Sequence, residues 1–293
     1  MNFFRFFTQN KKKKGSKSIW VPPGHFYSPI PDPDELKKRE ANIFDRSQQV
    51  LAGINLNTED QLELMSRFKS FYQEIPFTVQ KTEGNRYYFE NNFYSYSDAI
   101  FLYCVIRHFK PKSIIEVGSG FSSFCILDTN EKFFGGSIRC QFIEPYPDRL
   151  YSRLKPGDKE VIEITETKLQ DVDLYYFEKL AANDLLIVDS THVAKTGSDV
   201  NRIFFEILPH LKKGVLIHFH DIFYPFEYPK EWVYEGRSWN ESYLLRAFLQ
   251  YSNCFKVLLF NTYLEQFYEE IFRVDFPLCL KNPGGSIWLR KEC

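Results

Sequence analysis

Two short apolar runs in this chain end in residues that can move a proton or hold a cation. L-I-V-D-S-T-H sets Asp189 and His192 three residues apart, just past the run 184–188. G-V-L-I-H-F-H-D sets His220 and Asp221 just past the run 214–219. An imidazole works as a general base near neutral pH, and a carboxylate beside it fixes its tautomer. The same set can bind a divalent cation. Mg²⁺ prefers oxygen ligands, whereas an Asp/His set suits a transition metal equally, so the metal stays open at this point. His218 shares a strand face with His220 but lies deeper, and reads as a hydrogen-bonded core histidine.

A second cluster lies upstream in S-I-I-E-V-G-S-G-F-S-S-F, residues 113–124. A buried strand ends near Glu116 and Val117, and Gly118, Ser119 and Gly120 form a tight turn. A helix then begins by Ser122. Glycines there allow close backbone approach, and the helix start offers free N–H groups to a ligand. Glu144, in Q-F-I-E-P-Y-P after the next apolar run, can accept two hydrogen bonds from a ribose diol.

These residues need elements to position them. From residue 112, strand candidates are 113–117, 138–143, 160–165, 184–188, 214–219, 255–261 and 285–290. Helical stretches near 121–132, 146–153, 173–182, 199–212 and 239–251 separate the first six. Buried strands alternating with helices imply a parallel sheet covered on both faces. The connection 262–283, with Pro277 and Pro283, reads as a long excursion joining a terminal antiparallel pair. Open α/β sheets bind ligands at the carboxyl ends of their strands, where all the residues above fall.

Before residue 112 the pattern is helical. Residues 34–52 read as a helix with Asp34 as cap and Leu36, Ile43, Phe44 and Val50 as apolar positions. Residues 58–74 read as another, capped by Thr58, with Leu62, Met65, Phe68 and Phe71 or Tyr72 as its stripe. Residues 95–109 form a third, capped by Ser97 or Ser95 and stopped by Pro111. Residues 19–34 hold five prolines and read as an extended segment. The organisation expected is a basic flexible tail over 1–18, a Pro-rich and helical extension over 19–94, and an α/β domain over 95–293.

Composition narrows the function. The chain has 293 residues, 44 % hydrophobic and 26 % charged, as in an ordinary globular protein. No uninterrupted apolar run reaches the ~18 residues of a membrane span. The net charge of −1 gives no global basic field for nucleic acid. Residues 1–18 carry Arg5, Lys11, Lys12, Lys13, Lys14 and Lys17 and no acid. That pattern reads as a solvated tail, with weak contact to anionic membrane as the functional alternative. The six cysteines fit no zinc spacing and read as buried free thiols in a reducing cytoplasm.

The order of elements and E-V-G-S-G-F-S resemble the class I S-adenosylmethionine-dependent methyltransferases, whose fingerprint is an acid, a spacer and Gly-x-Gly-x-Gly. Glu116, Gly118 and Gly120 match, and Ser122 stands where a third glycine is usual. L-I-V-D-S-T-H-V, K-K-G-V-L-I-H-F-H-D-I and the aromatic loop after it are similar to the branch holding macrolide-sugar O-methyltransferases and the cephalosporin-hydroxylase-like group. The resemblance covers roughly 95–293. It implies a Rossmann-like doubly wound α/β sheet of seven strands, ordered 3-2-1-4-5-7-6 with strand 7 antiparallel. It also implies S-adenosylmethionine contacts at Glu116, Gly118, Ser119, Gly120, Ser122, Glu144 and Asp189, with Leu169, Gln170 and Asp171 near adenine.

A hydroxyl accepting a methyl group needs a base or a metal. His192, His220 and Asp221 are the catalytic candidates, with a small-molecule or glycan acceptor. The loop after 214–219 carries Phe223, Tyr224, Phe226, Tyr228, Trp232, Tyr234 and Trp239 and reads as a substrate lid, with Arg237 and Asn240 facing the acceptor. An NAD-dependent oxidoreductase shares the glycine turn and the acid after the second strand, but the terminal antiparallel pair argues against it. A non-catalytic cofactor-binding module is the other alternative, and the His192/His220/Asp221 set argues against that.

Overall fold

The computed structural model describes residues 19–293, so the expectations for the basic tail over 1–18 lie outside the described residues. The helices before the sheet are α1 (Pro33–Ile43), α2 (Thr58–Tyr72) and α3 (Tyr96–Phe109). Then come β1 (Ser113–Val117), α4 (Phe121–Phe134), β2 (Arg139–Ile143), the short α5 (Asp148–Tyr151) and α6 (Asp158–Val161), and β3 (Glu163–Thr165). They are followed by α7 (Tyr175–Glu178), β4 (Leu185–Val188), α8 (Asp199–Arg202), α9 (Leu208–His210) and β5 (Leu216–His220). The chain ends with α10 (Lys230–Tyr234), α11 (Glu241–Gln250), β6 (Phe255–Phe260), α12 (Asn261–Asp275) and β7 (Ser286–Lys291).

The seven strands form one sheet in the order β3-β2-β1-β4-β5-β7-β6. Strands β1 to β5 pair in parallel, and β7 runs antiparallel to both β5 and β6. This is the expected architecture. The central strands β4 and β5 are buried along their whole length, as a sheet covered on both faces requires.

Four local expectations are corrected. Strand β3 starts at Glu163, not residue 160, because Asp158–Val161 wind into a helical turn. The 262–283 connection carries a 15-residue helix, α12. Its apolar positions Tyr263, Leu264, Phe267, Ile271 and Phe272 recur at helical spacing and pack on the core. The 34–52 helix stops at Ile43. It is capped by Asp32, whose carboxylate accepts from the backbone N–H groups of Asp34 at 2.8 Å and Glu35 at 3.2 Å. Finally, Cys254 and Cys293 form a disulfide, while Cys104, Cys125, Cys140 and Cys279 are free and buried. Cys254 precedes β6 and Cys293 follows β7; these strands are antiparallel neighbours, and their ends bring the two Cα atoms to 5.0 Å.

The chain divides after Ile43 into two compact units. Residues 44–94 therefore belong with the sheet, not with an extension as expected. The reason lies in α2, which buries Leu64, Met65 and Phe68 in the common core. Gln61, also buried, donates to the Leu56 carbonyl at 2.6 Å and accepts from the Phe260 N–H at 2.8 Å. Thr58 is the first helical residue instead of the cap, and its hydroxyl meets that of Tyr263 at 2.8 Å.

Arg86 anchors the loop between α2 and α3. Its guanidinium bridges the buried carboxylates of Asp128 (2.8 Å) and Asp158 (2.5 Å) and reaches Glu131 at 2.6 Å. Removing the cation would leave buried carboxylates unpaired, the costly way to break such a network. Arg86→Met should lower unfolding stability by about 3–5 kcal/mol, read by urea denaturation.

Candidate active site

Parallel pairing puts the ends of β1, β2, β4 and β5 on one edge of the sheet. The register aligns Val117 with Ile143 and with Val188, and Val188 with Phe219. The next residues, Gly118, Glu144, Asp189 and His220, therefore stand in one row. At the β1–β4 contact, the Asp189 N–H donates to the Val117 carbonyl at 2.9 Å. Gly118 has φ +79°, and a Cβ built on it would lie 2.0 Å from the Asp189 carbonyl oxygen. A side chain at 118 would thus break the strand-end packing before it reached any ligand. Gly120 is different, since a Cβ there meets the Arg149 side chain at an ordinary 3.5 Å.

Two cavities open along this row. One of about 480 Å³ is lined by Gly118, Glu144, Leu169, Gln170 and Asp189, among others. The other, about 640 Å³, is lined by Gly120, Ser122, Asp98, Asp189, His220 and Asp221 and by the aromatic rings of Phe223, Trp232 and Trp239. Asp189 lies on the wall of both. Glu144 accepts from the Ser119 N–H at 3.2 Å and the Tyr146 N–H at 2.8 Å, which orient it at the cavity. Gln170 donates to the Gly197 carbonyl at 2.8 Å. Asp171 lines neither cavity.

Glu116 also lines neither. It is fully buried beneath the glycine turn and accepts from the Ser123 hydroxyl, which in turn accepts from the Gly120 N–H at 3.0 Å. Its other carboxylate oxygen has no hydrogen-bond partner among the described residues. Burial outweighs the lowering influence of the nearby Ser122 and Ser123 hydroxyls and pushes this carboxyl up to about 8.

The second cavity's floor is an ionic cluster. His220 Nδ1 lies 3.3 Å from Asp189 Oδ1, and its Nε2 lies 3.6 Å from Asp98 and 3.7 Å from Asp221. His192 Nε2 sits 3.4 Å from Asp189 and 3.5 Å from Asp221, while its Nδ1 meets Glu241 at 2.9 Å. All four expected residues thus converge. His192, however, is not on the cavity wall; it stands behind the two carboxylates, with its ring 4.4 Å from that of Trp239. His192 (φ +59°) and Asp221 (φ +57°) both adopt the left-handed backbone, uncommon outside glycine. The His192 carbonyl accepts from the N–H groups of Asn240 and Glu241, which helps hold that conformation.

The charges are mutually dependent. Burial alone would lower both histidines, yet hydrogen bonds and charge from Asp189, Glu241 and Asp221 raise His192 to about 10. Asp221 and Asp189 likewise raise His220 well above its usual range. Burial would raise Asp189, but the two imidazoles bring it below the usual carboxylate range. Burial raises Asp221. His218 is the core histidine expected, fully buried against the Tyr94 hydroxyl at 3.1 Å and driven toward its neutral form by burial.

Sequence reasoning missed Asp98 and Glu241. Asp98 accepts from the Gly285 N–H at 3.1 Å and from Asn261 at 3.2 Å. A lone acid before the apolar run A-I-F-L-Y-C-V-I was its available signal. Glu241 is fully buried and also accepts from the Ser190 hydroxyl at 2.9 Å; its only local signal was an acid near the start of the 239–251 helical stretch. Asn240 does not face the acceptor side, because its amide pins Ala194. Within the aromatic loop Tyr224, Phe226 and Tyr228 are buried, leaving Phe223, Trp232, Trp239 and Arg237 on the cavity.

A family model described as a methyltransferase domain matches residues 115–222, which run from β1 past β5. The segment that carries the site is a methyltransferase domain. An uncharacterized protein of Archaeoglobus fulgidus is 39 % identical over 165 residues, 55 % of this chain and 74 % of that one. Among solved structures, the SAH-bound methyltransferase PaMTH1 of Podospora anserina is 14 % identical with a TM-score of 0.45, covering 89 % of this chain and 97 % of its own. The O-methyltransferase TomG of Streptomyces achromogenes is 13 % identical with a TM-score of 0.44, covering 88 % and 96 %.

The Glu116 carboxyl makes stability fall with rising pH. Between its ordinary 4.5 and about 8 the unfolded chain releases a proton that the folded chain keeps. Above that window both forms are ionised and the loss is complete. Glu116→Gln should flatten the fall in melting temperature across this window, measured by calorimetry without ligand.

Proposed function

We propose that this methyltransferase transfers the methyl group of S-adenosylmethionine to a hydroxyl of a small-molecule or glycan acceptor. The observation that carries this reading is Asp189, shared by the two cavities. On one side lies a carboxylate suited to a ribose, and on the other an acid–imidazole cluster suited to a hydroxyl. The first cavity would take the cofactor. Glu144 would take the ribose diol, the Gly118–Ser119–Gly120 backbone would pass close beneath, and Leu169 and Gln170 would flank the adenine. Ser122 and Asp189 would lie toward the second cavity, and Glu116 would hold the turn from below. When bound, S-adenosylmethionine would supply an electrophilic sulfonium methyl for the acceptor oxygen.

The chain's own part is to place the acceptor and remove its proton. Phe223, Trp232 and Trp239 offer ring faces to a sugar or polyketide-like acceptor, with Arg237 stacked 4.2 Å from the Trp232 centroid. Asp221 is on the cavity wall, where its carboxylate would take the hydroxyl proton, and the charged His220 beside it would face the acceptor oxygen. His192, fixed by Glu241, orients the two aspartates from behind. Asp189, His220 and Asp221 also fit a divalent cation, since one donor atom from each lies within 4.8 Å of the others. Such an ion would lower the acceptor hydroxyl's pKa.

S-adenosylhomocysteine should raise the melting temperature and NAD should not; the opposite result would make the chain a dinucleotide enzyme. Glu144→Ala should weaken S-adenosylhomocysteine binding about 10- to 100-fold in calorimetry, from the loss of two buried hydrogen bonds. For the cluster, Mn²⁺ should stabilise the protein and Asp221→Asn should lose that stabilisation. No Mn²⁺ effect on the wild type would leave proton removal to Asp221 alone.

A further inference from the structure

We propose that the acceptor carries a carboxylate or phosphate besides its hydroxyl, and that Arg237 binds this anionic group. The inference rests on the methyl-transfer reading and names the class of acceptor for the same cavity. Arg237 lines the second cavity together with Trp232 and Trp239. Its guanidinium carbon lies over both rings, 4.2 Å from the Trp232 centroid and 5.3 Å from that of Trp239.

A guanidinium held by ring faces still donates within its own plane. Arginine has five N–H donors in a fixed fork. Glu235 Oε2 lies 3.0 Å from both Nε and Nη2 and so takes one edge of that fork. Glu235 itself does not line the cavity. Nη1 has no hydrogen-bond partner among the described residues. The edge made by Nη1 and Nη2 matches two oxygens of a carboxylate or a phosphate.

Charge divides the cavity in the same sense. Its floor carries Asp98, Asp189 and Asp221 against the one imidazole of His220, so it repels an anion even when His220 is protonated. Behind them His192 and Glu241 offset each other. The cations on the cavity wall are Arg237 and Arg149. Arg149 lies 4.0 Å over the Phe93 ring and pairs with no acid among the described residues. An acceptor with an anion at one end would therefore seat that end at Arg237. Its neutral hydroxyl would reach the floor, where Asp221 would take the proton.

The test is calorimetric titration of the full chain, first with S-adenosylhomocysteine and then, once saturated, with three probes: glucuronate, glucose 6-phosphate and glucose. The expected result is at least ~10-fold tighter binding of one charged probe than of glucose, from a charge-assisted bidentate contact. Which charged probe wins tells carboxylate from phosphate. Arg237→Met keeps an apolar stem over Trp232, so it should retain its melting temperature and S-adenosylhomocysteine affinity and lose the preference. Arg237→Lys keeps the charge without the fork, and should bind the charged probe more weakly than the wild type and more tightly than the Met variant. Equal binding of all three probes, binding of none, or a preference that survives in both variants would overturn this proposal alone. A wild type that does not bind S-adenosylhomocysteine would overturn the methyl-transfer reading, and this proposal with it.

Discussion

The close contact between the ends of β1 and β4 is the constraint on which the site depends. Gly118 turns back under a positive φ so near Asp189 that no side chain fits between them. That approach lets Asp189 pair with the Val117 carbonyl and still project between two cavities. Here the strand order reverses from β1–β2–β3 to β4–β5, the switch point at which open α/β sheets hold ligands. A wider gap would separate the Glu144 cavity from the acid–imidazole cluster.

Around that contact the protein spends buried charge freely. Two imidazoles and four carboxylates lie within a few ångströms, and the carboxylates raise both imidazoles while the imidazoles lower Asp189. Unpaired, any one of them would be costly in so dry a place. Paired, they are rigid, and rigidity is what a site needs to present a proton acceptor at a fixed distance. The left-handed backbones at His192 and Asp221 belong to the same economy of strain, held in place by the loop that leads into α11.

The aromatic loop after β5 has two jobs. Tyr224, Phe226 and Tyr228 bury themselves against the core and make the loop a wall, not a flap. Trp232 and Trp239 then face the cavity, and Trp239 touches His192 from the other side. The cavity's aromatic wall and the ionic cluster are therefore joined through one ring contact and through the backbone bonds of Asn240 and Glu241 to His192.

Much of this was legible in the chain itself. Period and turn chemistry marked the strands, and the parallel alternation placed Gly118, Glu144, Asp189 and His220 on one edge, because local pattern decides where strands end. The sequence by itself also determined that a histidine inside β5 would be core, since His218 lies two residues deeper than His220. What tertiary structure alone decided is which side chains meet. Asp98 comes from a helix that precedes the sheet and Glu241 from one far downstream, so no local spacing ties them to His220 or His192. His192 looked like a base on the cavity, and the fold turned it behind the aspartates through contacts with Trp239 and Glu241. Cys254 and Cys293 are 39 residues apart, and only the antiparallel pairing of β6 with β7 brings them together. Local propensity reads elements and their ends, whereas contacts between distant segments depend on how those elements pack.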